Sequence, residues 1–122
     1  MKFADDQHKA KYIEFCNRME HLDSYHKAAA YILALDNSLR EHPDAVFDFN
    51  GDQIKPEGLH AAFQTGTSLK SSRLLYNLWN GYTADAEDDS DSPARYTPDE
   101  IFACSYMLYY LEAVRIRFES FE

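Results

Sequence analysis

The sequence predicts an all-α fold, a single compact domain of about five or six helices, and three observations lead to this prediction. Apolar side chains recur at three- and four-residue steps in several segments, which places them on one helical face. Capping residues and prolines stand where such segments begin. Apolar residues make up 45% of the 122 residues and aromatic residues 15%, which is enough to offset the entropy of ordering one domain.

The first two helices are predicted from their apolar stripes. In residues 6–22 the stripe consists of Tyr12, Phe15, Cys16, Met19 and Leu22. A second helix begins near Asp23 or Ser24, either of which can cap it. Its stripe consists of Tyr25, Ala28, Ala29, Ile32, Leu35 and Leu39. The alanine run at residues 28–30 favours close contact with a neighbouring helix.

Short elements are predicted in the middle of the chain. Pro43 suits the first turn of a short helix that runs to Phe47, because its fixed φ and missing N–H cost nothing there. The Asn-Gly pair at residues 50–51 then predicts a turn. The next helix begins at Pro56 and runs to about Gln64.

Two longer helices complete the prediction. Thr67 or Ser68 can cap a helix that ends at residues 80–81, Asn-Gly, where glycine provides a left-handed cap. Residues 97–100 predict the start of the last helix, because they combine a capping threonine, a first-turn proline and a glutamate at the capping-box position. It should run to about Phe118. Since its apolar residues cover most of its circumference, we predict that the other helices pack around it.

The only stretch typical of a linker is residues 84–94. Its carboxylates are Asp85, Glu87, Asp88, Asp89 and Asp91, and none of its residues is Lys or Arg. Such a run of like charge predicts a flexible surface loop. The domain prediction is therefore one helical domain over residues 1–122 with an acidic flexible loop at 84–94.

Composition narrows the classes of partner. A net charge of −9 and a pI near 4.9 argue against direct nucleic-acid binding, which depends on neutralising phosphates with Lys and Arg. The same charge suits a protein partner with a basic surface. No apolar run is long enough for a membrane span, so a cytoplasmic location is expected. We expect Cys16 and Cys104 to be buried, reduced thiols. No cofactor is expected, because the sequence contains no nucleotide-binding fingerprint.

Metal binding is not favoured by the spacing of possible ligands. Residues 48–52 resemble the opening of a calcium loop, but the sixth and twelfth positions of that loop hold Gln53 and Leu59 in place of glycine and glutamate. A plain turn is the better interpretation. The histidines show no four-residue pair of the kind that metalloenzymes use on a helix, and a structural role is predicted for each. They are His8, His21, His26, His42 and His60.

One polar junction, residues 64–73, is the candidate site. Its members are Gln64, Thr65, Gly66, Thr67, Ser68, Lys70 and Arg73. Backbone N–H groups and the positive end of a helix dipole meet there, and solvated Lys70 and Arg73 would help to hold a phosphate, a carboxylate or an acidic side chain. The alternative, which the routine use of Ser and Thr as caps favours, is that two helices cross tightly at Gly66 while the hydroxyls only cap.

The chain resembles the proteins grouped as domain-of-unknown-function family 6075, small proteins of clostridial-type bacteria and their mobile elements. The resemblance spans nearly the whole chain. The matching segments are DSYH at 23–26, FDF at 47–49, PEGL at 56–59, FQTGTS at 63–68, YNLWNG at 76–81, YT at 96–97, IF at 101–102 and RIRF at 115–118. The matching single residues are His8, Tyr12, Arg40, Ile54, Leu74, Tyr110 and Ala113.

The resemblance implies no known reaction, cofactor or catalytic residue. It implies a setting of phages and mobile elements, in which small acidic proteins commonly act by binding host proteins. We therefore expect a non-enzymatic protein-binding accessory factor, for example an inhibitor of a host defence system, that acts through an acidic surface and exposed aromatic side chains. Its expected partner is a host or phage protein with a basic surface. The alternative is a binder of, or an enzyme acting on, a small phosphorylated or nucleotide-like ligand at the 64–73 junction.

Overall fold

The computed structural model describes residues 1–84 and 91–121, and it confirms the all-α prediction. The α-helices are α1 (Asp6–Asn17), α2 (Ser24–Leu35), α3 (Asn37–Glu41), α4 (Gly66–Asn80), α5 (Pro98–Ile101) and α6 (Met107–Arg117). Short 3₁₀ helices cover Pro43–Ala45, Pro56–His60, Pro93–Tyr96 and Glu119–Phe121. Two short strands, β1 (Phe47–Asp48) and β2 (Gln53–Ile54), form an antiparallel hairpin.

The central helix is α2, so the prediction that the C-terminal helix occupies the centre is wrong. Every residue of α2 from Ala28 to Leu35 is buried, and the helix packs against α1, α4 and α6. In α6 only Tyr110, Ala113 and Ile116 are buried. The alanines of α2 explain the difference, because small side chains let three neighbouring helices approach one axis closely.

The predicted C-terminal helix is interrupted between residues 101 and 107. Thr97 caps α5 as expected, its Oγ1 accepting the Glu100 N–H at 3.3 Å, but the helix ends at Ile101 and α6 begins at Met107. Ile101 and Tyr110 are both buried in the core. Nine residues apart in one continuous helix, they would lie about 180° apart around its axis. The break lets both side chains face the same core.

An Asp carboxylate caps the N-terminus of each of the first two helices, α1 and α2. Asp5 accepts the His8 N–H at 2.8 Å, and Asp23, one of the two predicted caps, accepts the His26 N–H at 3.0 Å. The first helix ends at Asn17, five residues earlier than predicted, and Leu22 is 52% exposed in the connection that follows. A carboxylate at these positions satisfies an N–H group that has no partner within the helix.

The middle of the chain is more extended than predicted. The segment that begins at Pro43 is a 3₁₀ turn that ends at Ala45, and Phe47 already belongs to β1. The helix predicted from Pro56 to Gln64 is a 3₁₀ helix that ends at His60. The predicted turn at residues 50–51 lies in the hairpin loop, where the residue with positive φ is Asp52, at 58°.

The predicted end of α4 is confirmed, and the two thiols differ from each other. Gly81 has a φ of 76° and donates its N–H to the Asn77 carbonyl, which is the left-handed cap.

Cys16 is buried, as predicted, whereas Cys104 is only half-buried, and both are free thiols. Within residues 1–84 and 91–121, no helix combines the length and the hydropathy that a membrane crossing needs.

Both ends of the chain meet at α2. Tyr31 of α2 donates its hydroxyl to the Lys2 carbonyl, and the Lys2 N–H donates to Glu112 of α6 at 2.9 Å. Nearby, Lys27 and Glu119 form an ion pair at 3.7 Å. Residues more than a hundred positions apart in the sequence therefore pack around the same helix.

The predicted acidic loop needs a correction at its two ends. Residues 85–90 lie outside the described residues. The stretch predicted to be flexible also includes Ala84 and Asp91, and both are buried. Its last two residues, Pro93 and Ala94, belong to the 3₁₀ helix Pro93–Tyr96. Asp91 is thus part of the interior rather than of a solvated surface loop.

Candidate functional site

The 64–73 junction contains the N-terminus of α4, and its cap is Thr65 rather than Thr67 or Ser68. Thr65 Oγ1 accepts the Ser68 N–H at 3.0 Å, and Ser68 Oγ accepts the Thr65 N–H at 2.7 Å. The two residues form a capping box in which serine takes the place usually held by glutamate. Helix α4 therefore begins at Gly66, earlier than the sequence suggested.

Truncating the cap gives a test with an internal control. Thr65→Ala should lower the free energy of unfolding by about 1 kcal/mol, because the Ser68 N–H loses its acceptor at the helix start. Thr67→Ala, two residues later in the same turn, should change it by less than about 0.5 kcal/mol. Urea unfolding of the two variants measures the difference, and equal losses would contradict the assignment of Thr65 as the cap.

Side chains of the junction bind one another and the neighbouring backbone. Gln64 is at the centre: its Oε1 accepts the Ser68 hydroxyl at 2.6 Å, and its Nε2 donates to the Gly58 carbonyl and to Ser72 Oγ, each at 3.1 Å. Ser68 and Ser72 are fully buried. The polar character of this stretch therefore joins the 3₁₀ helix Pro56–His60 to α4.

Gly66 does not mark a helix crossing, so that part of the alternative is wrong, whereas the hydroxyls of Thr65 and Ser68 do cap the helix. No heavy atom lies within 4 Å of the position that a Cβ on Gly66 would take, and its φ lies outside the left-handed region. The close backbone approach is at Gly58, where a Cβ would lie 2.3 Å from the Ala45 carbonyl oxygen. Gly58, in the 3₁₀ helix, was not singled out by the sequence analysis.

Both cations of the junction have partners within the protein, and Arg73 is buried rather than solvated as expected. Lys70 donates its Nζ to the Glu100 carbonyl of α5. Arg73 is buried, and its Nε donates to Asp91 Oδ1 at 2.9 Å, with only 8% of the Arg73 side chain and 1% of the Asp91 side chain exposed. Anion binding at residues 64–73 stays a prediction from the sequence.

Asp91 accepts two further hydrogen bonds from neighbouring residues. Its Oδ2 accepts the Tyr96 hydroxyl at 2.6 Å, and its Oδ1 accepts the Ser92 N–H at 3.0 Å. Burial, reinforced by the hydrogen bond to the Asp91 carboxylate, raises the pKa of Tyr96. The hydroxyl is therefore a donor to Asp91 at neutral pH, and Arg73 supplies the charge that the buried carboxylate needs.

A second candidate site is built around His26, in the first turn of α2. Its ring is buried, with Nδ1 at 2.7 Å from Asp23 Oδ1 and Nε2 at 2.6 Å from Asp52 Oδ1. Asp23 lies at the N-cap of α2, and Asp52 lies in the hairpin loop with positive φ. Trp79, from α4, packs against the same ring in a T-shaped arrangement with centroids 4.9 Å apart. The ring therefore joins three elements of the fold.

The electrostatics of His26 favour its charged form. Burial lowers the pKa of His26, but the hydrogen bonds and charges of Asp23 and Asp52 together outweigh burial and raise it above its usual value of 6.5. His8 shows the opposite case, because burial lowers its pKa. The His8 Nδ1 accepts the Ala4 N–H at 3.0 Å, so its Nε2 carries the proton and donates to the Tyr31 carbonyl.

A small cleft opens beside Asp52. It has a volume of about 110 Å³ and is lined by Glu20, His21, Phe49, Asn50 and Asp52. The ring centroids of His21 and His26 are 5.9 Å apart. Within the described part of the chain, no three His, Cys, Asp or Glu side chains are placed to hold a metal ion. The lining of the cleft thus includes two carboxylates, from Glu20 and Asp52, and the aromatic ring of Phe49.

Sequence reasoning noticed both halves of this site separately. It named Asp23 as a possible cap and His26 as a structural histidine, and it examined Asp52 as part of a calcium-like turn. The local signal was the spacing of Asp23 and His26, since a side chain three residues after an N-cap can reach back to it. Asp52, 26 residues further on, had no signal that linked it to His26.

The outer side of α6 forms a third feature, which we call the α6 face. It consists of Met107, Leu108, Leu111 and Phe118, which are 41–56% exposed. The buried residues of α6 are Tyr110, Ala113 and Ile116, so the α6 face is the part of the helix that the core leaves uncovered. Phe121, 83% exposed, follows in the last 3₁₀ helix with its ring centroid 6.2 Å from that of Phe118.

Arg117 fixes the aromatic end of this face. Its guanidinium lies 3.5 Å from the ring centroid of Tyr25 and 4.7 Å from that of Phe118, and its Nε donates to the Leu78 carbonyl at 2.8 Å. Tyr25 is itself partly exposed. The exposed aromatic side chains are thus held in place rather than merely left outside the core.

Comparison with known proteins places the chain in a family without assigning it a role. A family model described as "Family of unknown function (DUF6075)" matches residues 1–121. Neither the curated proteins nor the solved structures contain a match to the chain. The match covers all the elements described above. The chain therefore belongs to family DUF6075.

Proposed function

We propose that this protein is a non-enzymatic binding factor that docks a partner protein on the α6 face. The observation that carries the proposal is the cluster of large apolar side chains left exposed on that face, from Met107 to Phe118, with Phe121 beyond it. A contiguous exposed apolar surface costs hydration free energy and commonly marks an interaction site. Aromatic side chains held by Arg117 add rigid contact area of the kind found at the centre of interfaces.

The net charge of the protein indicates what kind of surface the partner has. The chain carries a net charge of −9, while the α6 face itself is apolar. The negative field would steer a partner with a basic surface, and the α6 face would provide the contact that holds it. Because the resemblance implies phages and mobile elements, a host protein is the first class of partner to test, and inhibition of a host defence system is the specific role proposed.

The proposal is tested by capture from a lysate of a clostridial-type bacterium with three forms of the protein. Leu111→Ser removes the middle of the α6 face, and Ile13→Ser removes a side chain of equal exposure on α1, since the two residues are 50% and 49% exposed. A protein retained by wild type and by Ile13→Ser should be lost with Leu111→Ser, with affinity reduced roughly tenfold or more.

Salt separates the two parts of the proposed interaction. Raising the ionic strength should slow association of the captured partner, because it screens the long-range attraction, and should change dissociation little. Leu111→Ser should instead speed dissociation. If no protein depends on Leu111 at either low or high salt, the docking role of the α6 face is wrong.

A further inference from the structure

The hydrogen bonds of His26 determine its protonation state in the folded protein. Both ring nitrogens lie within 2.7 Å of a carboxylate oxygen, from Asp23 on one side and Asp52 on the other. Ionised carboxylates only accept hydrogen bonds, so each ring nitrogen must donate one. The ring can donate twice only as the imidazolium cation. The observed arrangement is therefore that of a charged histidine between two anions.

Loss of one proton must break one of these two contacts, and the two are not equally secured. Asp23 lies three residues before His26 and also accepts the His26 backbone N–H at 3.0 Å, so it stays beside the ring. Asp52 belongs to the hairpin loop and has a positive φ of 58°, a conformation that a non-glycine residue adopts at some cost. A neutral ring that donates through Nδ1 keeps Asp23 and leaves Asp52 facing a lone pair.

We propose that His26 is a pH-sensitive switch that holds the hairpin loop (residues 49–52) against the start of α2 as an imidazolium and releases it on deprotonation. The loop covers part of the core, because Phe49 is buried against Phe15 and Phe47. Release therefore uncovers apolar surface and widens the cleft beside Asp52.

Other charged groups around the ring leave the direction of the switch unchanged. His21 faces it from the α1–α2 connection, and Glu20 lies across the cleft. From α4 the contact is Trp79, which does not titrate, and at the end of α6 the cation Arg117 is stacked on Tyr25. A histidine whose pKa is raised on folding stabilises the fold below its unfolded value of about 6.5, and this stabilisation is lost as the pH rises through the folded value.

Trp79, the only tryptophan, reports on the ring without any label. A protonated histidine quenches indole fluorescence by contact, so emission should rise as the pH rises, with a midpoint above 6.5. His26→Gln should abolish the transition. Asp52→Asn, which keeps a residue suited to positive φ and removes one charge, should lower the midpoint. His21→Gln is the matched control and should leave the midpoint within a few tenths of a pH unit.

Hydrogen exchange of the hairpin decides whether titration also moves the loop. The Asp52 N–H donates to the Asp48 carbonyl at 2.8 Å and should be protected below the midpoint. Its protection factor, corrected for the intrinsic rate at each pH, should fall about tenfold or more above the midpoint. A midpoint at or below 6.5, a transition that survives in His26→Gln, or protection that stays constant across the transition would each overturn the proposal.

Discussion

Arg73→Met is expected to lower the free energy of unfolding by about 3–5 kcal/mol, because it leaves the Asp91 carboxylate buried without its counter-ion. Only 1% of the Asp91 side chain is exposed, so water cannot replace the guanidinium without a change in the surrounding structure. Urea unfolding followed by circular dichroism measures the loss. The double variant Arg73→Met with Asp91→Asn should recover a large part of it, since no buried charge then remains and the amide can still accept from Tyr96.

An exposed ion pair provides the comparison for Arg73. Lys11 and Glu14 lie 3.4 Å apart on α1 with 31% and 55% of their side chains exposed. Lys11→Met should cost less than about 1 kcal/mol, because solvent screens the pair. If Arg73→Met cost no more than Lys11→Met, the pair with Asp91 would be hydrated in solution, and its assignment as a buried ion pair would be wrong.

Gly58→Ala is expected to lower the free energy of unfolding by about 1–3 kcal/mol through overpacking. The added Cβ would lie 2.3 Å from the Ala45 carbonyl oxygen and 2.8 Å from Val46 Cγ1. The first of these is a backbone atom that cannot rotate away, so the 3₁₀ helix or the segment after Pro43 must shift. Thermal or urea unfolding measures the effect.

The same substitution at Gly66 is the matched control and should have the opposite sign. A Cβ there meets no heavy atom within 4 Å, and alanine is the better residue in a helix. Gly66→Ala should raise the free energy of unfolding by about 0.4–1 kcal/mol. Equal effects of the two variants would show that the 3₁₀ helix Pro56–His60 does not pack on Ala45.

The sequence predicted the beginnings and ends of helices well where a local rule governs them. Asp23, Thr97 and Gly81 were identified because a cap depends on residues within one turn of it. The cap of α4 was placed two or three residues late, since Thr65, Thr67 and Ser68 are all suitable and only the fold selects Thr65. Local chemistry therefore gave the type of each boundary more reliably than its position.

The centre of the fold was mistaken because an apolar residue is not necessarily a buried one. Leu108 and Leu111, two apolar residues of the predicted C-terminal helix, are half exposed on the α6 face. Helix α2 has smaller side chains and a narrower predicted stripe, yet Ala30 and Ala34 are fully buried. Periodicity shows which face is apolar, and it does not show whether protein or solvent covers that face.

Contacts between distant segments account for the rest of what the sequence could not show. Arg73 and Asp91 are 18 residues apart, and His26 and Asp52 are 26 apart. No periodic or spacing rule links such pairs, because the fold alone brings them together. The acidic stretch was interpreted by its composition, which does not distinguish a solvated aspartate from one that neutralises a buried arginine.

The meeting of both chain ends at α2 has a consequence for synthesis on the ribosome. One side of α2 is covered by α6, whose last residues are translated some eighty positions after Leu35. At about 5–20 residues per second, that side of α2 stays uncovered for roughly 4–16 s in the nascent chain. Ribosome-bound chains that end before residue 107 should therefore expose the apolar side of α2 that α6 covers in the folded protein. We expect chaperones to bind these chains.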